Sequence, residues 1–210
     1  MIKTVIFDID GVLIDSFNAN FKFFFDLMAK FGYSSLNREQ FSALFHIPMK
    51  DIIRIVTKST DEEEIEKIWK AGKDKEVPYP HELLNTPKHL NKTLKVLNEN
   101  YILGIVTSRI HESIFSLSSL AELEDYFKVV VAYQDTENHK PHPEPLLLFA
   151  QKLKVLPEEC VYIGDAESDL LAARAAGMKV IIYSKNQFNQ ADAWTSSFTK
   201  LPKLILSLND

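Results

Sequence analysis

The sequence predicts an α/β fold in which a parallel β-sheet, covered by helices on both faces, is interrupted by a separate helical insertion. Two observations support this prediction. Over most of the chain, short apolar runs alternate with helical patterns, as happens where helices connect buried parallel strands. Between the first apolar run and the second, residues 16–85 show helical patterns and no convincing strand.

The strands are expected where apolar runs are short and bounded by polar residues. Five runs fit this description: Lys3–Phe7, Tyr101–Val106, Val129–Ala132, Cys160–Ile163 and Lys179–Tyr183. Helical patterns lie between most of them, at Lys88–Asn98, Glu112–Leu120, Pro145–Leu153 and Asp169–Ala176. Open parallel sheets bind ligands outside the carboxyl ends of their strands, so functional residues are expected at that edge.

The insertion has the pattern of a small helical bundle. Aromatic and apolar residues recur at helical spacing in its first part, namely Phe17, Phe21, Phe24, Phe25, Met28 and Phe31. The favoured interpretation of this stripe is a helix core. Asp61–Lys70 resembles a charged helix, and Pro78, Pro80 and Pro87 mark the return of the chain. We therefore expect one domain over 16–85 and another over 1–15 and 86–210.

Composition restricts the functional classes. The 210 residues are 46% hydrophobic and 25% charged, which is ordinary for a globular protein. A formal net charge of −5 without a basic stripe argues against nucleic acid as a partner. The first apolar run ends in carboxylates, unlike a signal peptide, and no run is long enough for a membrane span. Cys160 is the only cysteine, so no internal disulfide forms, and we expect a cytoplasmic protein.

The first predicted strand leads directly into Asp8, Ile9, Asp10 and Gly11. In an extended chain, residues i and i+2 point to the same side, so Asp8 and Asp10 face one site. Two close carboxylates repel unless a cation or a shared proton intervenes, and Mg²⁺ characteristically takes few protein carboxylates. Gly11 allows the backbone to bend close to a ligand. The alternative, that the aspartates only cap a turn, is equally compatible with these residues alone.

Three later stretches place polar residues near the carboxyl ends of predicted strands. Thr107 and Ser108 follow the second strand, and Lys140 opens a stiff proline-containing run. Asp165 follows the fourth strand, with Asp169 one helical turn later. Each stretch also has a purely structural interpretation, namely a helix cap, a solvated lysine and a turn. Their joint placement at one edge of the sheet favours a functional site.

Together these stretches resemble the motifs of the haloacid dehalogenase superfamily, in its phosphatase branch with a helical cap after the first motif, which includes phosphoglycolate phosphatases. The four motifs are DIDGVLIDS, VTS, KPHPEP and GDAESD, in the family's order. Ser108 stands where Asn or Gly is commoner. The resemblance covers nearly the whole chain. It implies a Rossmann-like three-layer core with a central parallel sheet and an inserted α-helical cap domain.

The resemblance also implies a reaction. Asp8 would be the nucleophile that attacks phosphorus, forming an aspartyl-phosphate. Asp10 would protonate the leaving oxygen and then take a proton from the hydrolytic water. The cofactor would be Mg²⁺, held by the carboxylates of Asp8 and Asp165 and by the backbone carbonyl of Asp10. The cap would close over the site and exclude bulk water.

The remaining motif residues would bind phosphate or support the site. By resemblance, Thr107, Ser108 and Lys140 contact the transferring phosphoryl group, and Lys140 offsets negative charge. Gly11 permits the bend after the nucleophile, and Asp169 orients Lys140 or a metal-bound water rather than binding the metal. The preferred substrate is a small phosphate monoester such as phosphoglycolate. The oligomeric state is left open.

Three rival functions share parts of this pattern. A dehalogenase of the family lacks the second aspartate, so Asp10 argues against it. A β-phosphoglucomutase-like phosphomutase shares the motifs, but its relatives carry a histidine and an arginine where this chain has Asn20 and Met49. A non-enzymatic alternative is a phospho-accepting receiver or binding domain. Receivers carry the accepting aspartate on a later strand and lack a helical insertion of this size.

Overall fold

The computed structural model describes residues 1–34, 36–116 and 118–209. The chain divides into two compact units. One unit comprises Met1–Asp15 and Thr86–Asp210, and the other comprises Ser16–Asn85. No helix of the described residues is both long and apolar enough to cross a membrane.

A parallel sheet forms the centre of the first unit, which confirms the predicted α/β fold. Within the described residues, its six strands are β1 Thr4–Phe7, β2 Ile102–Val106, β3 Phe127–Val131, β4 Cys160–Gly164, β5 Lys179–Tyr183 and β6 Ala193–Thr195. The strand order is β3-β2-β1-β4-β5-β6, and every neighbouring pair is parallel. The chain passes from β1 to β2 on one side of the sheet and from β4 to β5 on the other side. The strand order therefore reverses between β1 and β4, and open parallel sheets bind ligands at such a switch point.

The register aligns the strand ends at this switch point. Phe7, the last residue of β1, pairs with Ile105 on one side and with Ile163 on the other. The residues that follow β1, β2 and β4 therefore come to one edge of the sheet. The strand interiors are almost wholly apolar and buried because helices cover the sheet, which explains why the sequence signal for these strands is strong.

The helices of this unit follow the predicted pattern except between β2 and β3 and in the segment beyond β5. They are α5 Leu90–Asn98, α6 His111–Ile114, α7 Ser118–Ala121, α8 Glu144–Leu153, α9 Glu167–Ala175 and α10 Leu201–Ser207. The single helix expected over Glu112–Leu120 is wrong, because two short helices occupy this region; Leu117 lies outside the described residues. The hydroxyls of Ser113 and Ser116 bond to nearby backbone carbonyls, and such bonds compete with a continuous helix.

The second unit is a helical bundle, with α1 Phe17–Lys30, α2 Arg38–Leu44, α3 Met49–Thr57 and α4 Glu62–Lys73. Its core contains Phe24, Leu27, Met28, Phe41 and Ile53, as expected for the phenylalanine stripe. Phe25 is the exception, because it is 50% exposed and therefore does not belong to the core face.

One close approach in the sheet unit gives a stability prediction. A Cβ atom at Gly104 in β2 would lie 2.1 Å from Cε2 of the fully buried Phe149 on α8. We expect Gly104→Ala to destabilise the protein by roughly 1–3 kcal/mol through overpacking, measured by urea unfolding. In the Gly104→Ala variant, Phe149→Leu should lower the free energy of unfolding by less than it does in the wild type. Additive costs would contradict the proposed close contact.

Candidate active site

The site lies where β1 and β4 end. Asp8 follows β1, Asp165 follows β4, and Asp169 is the third residue of α9. These three side chains each offer an oxygen within 4.8 Å of the others. Lys140 comes from the loop before α8 and is only 6% exposed. The structure thus brings together four residues that the sequence motifs singled out.

The Lys140 ammonium is held by three acceptors. Its Nζ atom donates to Oδ2 of Asp8 at 2.9 Å, to Oδ1 of Asp169 at 2.7 Å and to the hydroxyl of Tyr162 at 2.9 Å. A lysine has three N–H donors, and this arrangement gives each of them an acceptor. Burial alone would favour the neutral amine, but the charges of Asp169 and Asp8 raise the pKa of Lys140 well above its usual value.

Both carboxylate oxygens of Asp169 accept hydrogen bonds from the protein, one of them from Lys140. Its Oδ1 accepts from Lys140, and its Oδ2 accepts from the backbone N–H groups of Asp165 and Ala166 at 3.0 and 3.1 Å. Burial opposes its ionisation, but the Lys140 charge and these hydrogen bonds outweigh burial and lower the pKa of Asp169. Both oxygens therefore accept from N–H donors, as expected for a carboxylate that orients a lysine.

The negative charges of Asp8 and Asp165 are not fully balanced by positive charge nearby. The pKa of Asp8 is raised from 3.8 to about 6, chiefly by burial; the charge and hydrogen bond of Lys140 oppose this rise, and the charges of Asp169 and Asp10 add to it. Burial, followed by the charges of Asp169 and Asp8, raises the pKa of Asp165 well above its usual value. A divalent cation beside these oxygens would reverse both effects. Carboxylate oxygens are hard ligands that suit Mg²⁺, so this donor set fits the metal.

Gly11 makes room for the Asp165 carboxylate. Its φ is +79°, and a Cβ atom at this position would lie only 1.9 Å from Oδ2 of Asp165. The loop is closed by a hydrogen bond from the N–H of Gly11 to the carbonyl of Ile14 at 2.7 Å. A side chain at residue 11 would therefore be strained and would collide with Asp165.

Asp10 is paired with a residue that the sequence analysis missed. The Nε and Nη2 atoms of Arg109 each lie 2.7 Å from an oxygen of Asp10, in a bidentate pair. The arginine side chain is 11% exposed and the aspartate side chain 22% exposed. Arg109 directly follows the VTS motif at the same edge of the sheet. That position was the only feature of the sequence that could have indicated a role for Arg109 in the site.

Thr107 and Ser108 lie at the end of β2. Thr107 is 5% exposed, and its hydroxyl accepts from the backbone N–H of Arg109 at 3.3 Å. Helix α6 begins at His111 with Ile110 as its N-cap residue, so Thr107 does not cap this helix. Ser108 is half-buried.

Tyr162, on β4, is a second residue that the sequence analysis missed, although its hydroxyl stands out within the apolar run CVYIG.

Comparison with known proteins places the chain in one family. Residues 5–183 match the haloacid dehalogenase-like hydrolase family. Pyrophosphatase PpaX from Bacillus pumilus is 32% identical over 180 residues, which cover 85% of this chain and 81% of that protein.

Solved structures show the same fold. A Bacteroides fragilis protein described as a candidate haloacid dehalogenase-like hydrolase has a TM-score of 0.85 at 25% identity, covering 96% of this chain and all of that chain (100%). A Bacteroides vulgatus protein described as a candidate β-phosphoglucomutase has a TM-score of 0.78 at 25% identity, covering 100% of this chain and 91% of that chain.

The excess of buried carboxylates predicts a stability effect. A carboxyl whose pKa is higher in the folded than in the unfolded protein lowers the free energy of unfolding once it ionises. For Asp8 this loss of stability develops between pH 3.8 and about 6 and is complete above that range. Raising the pKa of Asp8 from 3.8 to about 6 corresponds to roughly 3 kcal/mol. We therefore expect Asp8→Asn to raise the melting temperature at pH 7 in EDTA, with a smaller gain near pH 4.

The control is Asp125→Asn, which replaces an exposed carboxylate and should leave the melting temperature nearly unchanged. A lower melting temperature for Asp8→Asn at pH 7 would contradict the prediction. It would mean that the ion pair between Asp8 and Lys140 outweighs the burial of the carboxylate.

Proposed function

Because the chain belongs to the haloacid dehalogenase-like hydrolase family and is a phosphoric ester hydrolase, we propose that it is a Mg²⁺-dependent phosphatase of a small phosphorylated metabolite. One observation carries this proposal. The buried Asp8 lies beside the Lys140 ammonium at the switch point of the sheet, with Asp165 close by. A carboxylate nucleophile next to a fixed cation is the arrangement that phosphoryl transfer requires.

In the proposed reaction, an oxygen of Asp8 attacks phosphorus while the bond from phosphorus to the leaving oxygen breaks. For this step Asp10 must be protonated and released from its pair with Arg109; it gives its proton to that leaving oxygen, and the product alcohol departs. Water then attacks the phosphorus of the aspartyl-phosphate, and Asp10 takes the proton of that water. Asp8 is regenerated and inorganic phosphate is released, so the net reaction is hydrolysis of one phosphate ester.

The charge of the phosphoryl group is offset by residues that the fold holds in place. We assign Lys140, Thr107 and Ser108 to its oxygens, which carry the negative charge in the transition state. Mg²⁺ would be held by the carboxylates of Asp8 and Asp165 and by the backbone carbonyl of Asp10, and it would supply further charge neutralisation.

The helical unit Ser16–Asn85 is proposed to act as the cap that keeps macromolecular substrates out and limits water. It is inserted directly after the loop that carries Asp8 and Asp10. A phosphoglycolate-like monoester is the preferred substrate. Inorganic pyrophosphate is the second candidate, because a relative that is 32% identical is named a pyrophosphatase. Both are small phosphate compounds whose leaving group carries negative charge.

A mutase activity is less well supported, although a similar structure is described as a candidate β-phosphoglucomutase. Asn20 stands at the position expected for the mutase histidine. Its Nδ2 donates to the hydroxyl of Ser16 at 3.2 Å, and its Oδ1 accepts from the hydroxyl of Tyr79 at 2.7 Å. These bonds give Asn20 a structural role within the helical unit.

We propose a cytoplasmic location and no nucleic-acid or membrane partner. The thiol of Cys160 is buried, and burial raises its pKa to about 12, so it is poorly reactive. A single inert thiol suits a reducing compartment. The formal net charge of −5 disfavours polyanionic partners.

The proposal is tested with a substrate panel. Phosphoglycolate, inorganic pyrophosphate, β-glucose 1-phosphate, an aryl phosphate and a phosphopeptide are each incubated with Mg²⁺ or with EDTA. Products are identified by phosphorus NMR. We expect release of inorganic phosphate from phosphoglycolate or pyrophosphate, much slower release from the phosphopeptide, and loss of turnover in EDTA.

Three outcomes would overturn parts of this proposal. Equal turnover with and without EDTA would overturn the metal requirement. Isomerised sugar phosphate without inorganic phosphate would establish a mutase. Stable phosphorylation of Asp8 without turnover would favour the receiver alternative.

The proposed role of Asp10 predicts a dependence on the leaving group. Asp10→Asn should lower kcat by roughly 10²–10⁴-fold, the usual effect of a lost general acid–base group. The loss should be largest for an alkyl phosphate and smaller for a nitrophenyl phosphate, whose leaving oxygen needs no proton. Asp26→Asn, on α1, where the carboxylate is half-buried and pairs with Lys22 of the same helix, is the control and should retain wild-type kinetics. An equal loss for both esters would contradict the assignment.

A further inference from the structure

A fully buried tyrosine hydroxyl lies inside the site and belongs to none of the roles assigned above. Tyr162 lies on β4 with no exposed surface. Its hydroxyl accepts from Nζ of Lys140 at 2.9 Å, and it lies 3.1 Å from the carbonyl oxygen of Val106 and 3.3 Å from Oδ1 of Asp169. The group thus touches residues from three different segments of the chain.

The single hydroxyl proton has two available acceptors. The carbonyl of Val106 and the carboxylate of Asp169 can only accept, whereas Lys140 can only donate. The carbonyl is nearer, and Oδ1 of Asp169 already accepts from Lys140 at 2.7 Å, so we assign the proton to the Val106 carbonyl. Burial and the charges of Asp169 and Asp8 raise the pKa of Tyr162 well above its usual value, so the hydroxyl keeps its proton.

The hydroxyl restricts the orientation of the ammonium. Lys140 has three N–H donors, of which one is directed at Tyr162 and one at Asp169. With these two directions fixed, the third N–H is directed at Oδ2 of Asp8. Without the tyrosine oxygen, one N–H would lose its acceptor, and the Lys140 side chain could shift its Nζ atom toward the two carboxylates.

The same hydroxyl also restricts the peptide group that precedes Thr107. The carbonyl of Val106 and the N–H of Thr107 belong to one peptide plane. The carbonyl accepts from Tyr162 at 3.1 Å, and the N–H donates to the carbonyl of Val131 at 3.0 Å. The plane is therefore held at both ends, which sets the direction in which the Thr107 side chain leaves the backbone.

We infer that Tyr162 is a positioning residue that fixes Lys140 and Thr107 relative to each other. This inference rests on the proposed function, in which both residues contact the phosphoryl group. One hydroxyl thereby links a loop lysine to the end of β2, across the strand β1 that leads into Asp8. Its loss should weaken phosphate recognition, since the two groups would no longer be held in one geometry.

The test begins with Tyr162→Phe, which removes the hydroxyl and keeps the ring. We expect kcat/KM for the best substrate to fall by about 10- to 100-fold, and inorganic phosphate to bind correspondingly more weakly in calorimetry with Mg²⁺. Tyr101→Phe, at the opposite end of β2, is the matched control and should behave as wild type. Kinetics of all variants are measured below their melting temperatures.

A double-mutant cycle distinguishes positioning from a general structural effect. Phosphate affinity is measured for wild type, Tyr162→Phe, Lys140→Met and the double variant. If Tyr162 acts through Lys140, Tyr162→Phe should lower phosphate affinity much less in the Lys140→Met background than in the wild type. If Tyr162→Phe lowers the melting temperature too far, para-aminophenylalanine at residue 162 provides the second variant. It keeps a polar group at the ring's para position and should retain most of the phosphate affinity.

The outcomes separate this inference from the proposed function. Wild-type protein that releases no phosphate from any ester would overturn the proposed function. Normal wild-type turnover with unchanged kinetics in Tyr162→Phe would overturn the positioning role alone. Equal costs of Tyr162→Phe in both backgrounds, or a para-aminophenylalanine variant as weak as the phenylalanine variant, would also overturn it.

Discussion

The buried ammonium of Lys140 is the charge on which the rest of the site depends. It compensates Asp8 and Asp169 directly, and all three side chains are buried. Removing one partner of such a cluster leaves uncompensated charge in a low-dielectric environment, which typically costs several kcal/mol. Lys140 is therefore needed for a stable arrangement of the carboxylates before any substrate binds. This also explains why a loop lysine, a residue type that is usually solvated, is almost fully buried here.

The fold was predictable where burial is complete. Strands β1, β2, β4 and β5 are covered on both faces, so their sequences are continuous apolar runs, and parallel strands bring the residues that follow them to one edge. Strand β6 was missed because it is a short edge strand, and its Trp194 is 40% exposed. Helix α10 lies beyond the last predicted strand, where no alternation of strands and helices remained to suggest it.

The site was predictable in its residue types but not in its pairings. Parallel strand ends indicate that Asp8, Lys140 and Asp165 gather together, yet they do not say which oxygen meets which donor. The pair of Asp10 and Arg109 joins residues far apart in sequence, and the position of Arg109 after the VTS motif does not indicate which carboxylate it meets. The same holds for Tyr162, whose hydroxyl stands out in an apolar run without indicating what it contacts. Such contacts depend on side-chain direction, which periodicity does not fix.

Charge balance links these pairings to the proposed metal site. Among the described residues at this edge, Asp8, Asp10, Asp165 and Asp169 face Lys140 and Arg109. Four carboxylates and two cations leave a formal charge of −2 when all are ionised. A phosphate ester is itself an anion, so it would be repelled by this edge until a divalent cation balances the charge. The pair of Asp10 and Arg109 is already neutral, which localises the deficit at Asp8 and Asp165. The two carboxylates that most need a cation are therefore those that would hold Mg²⁺ in the proposed reaction.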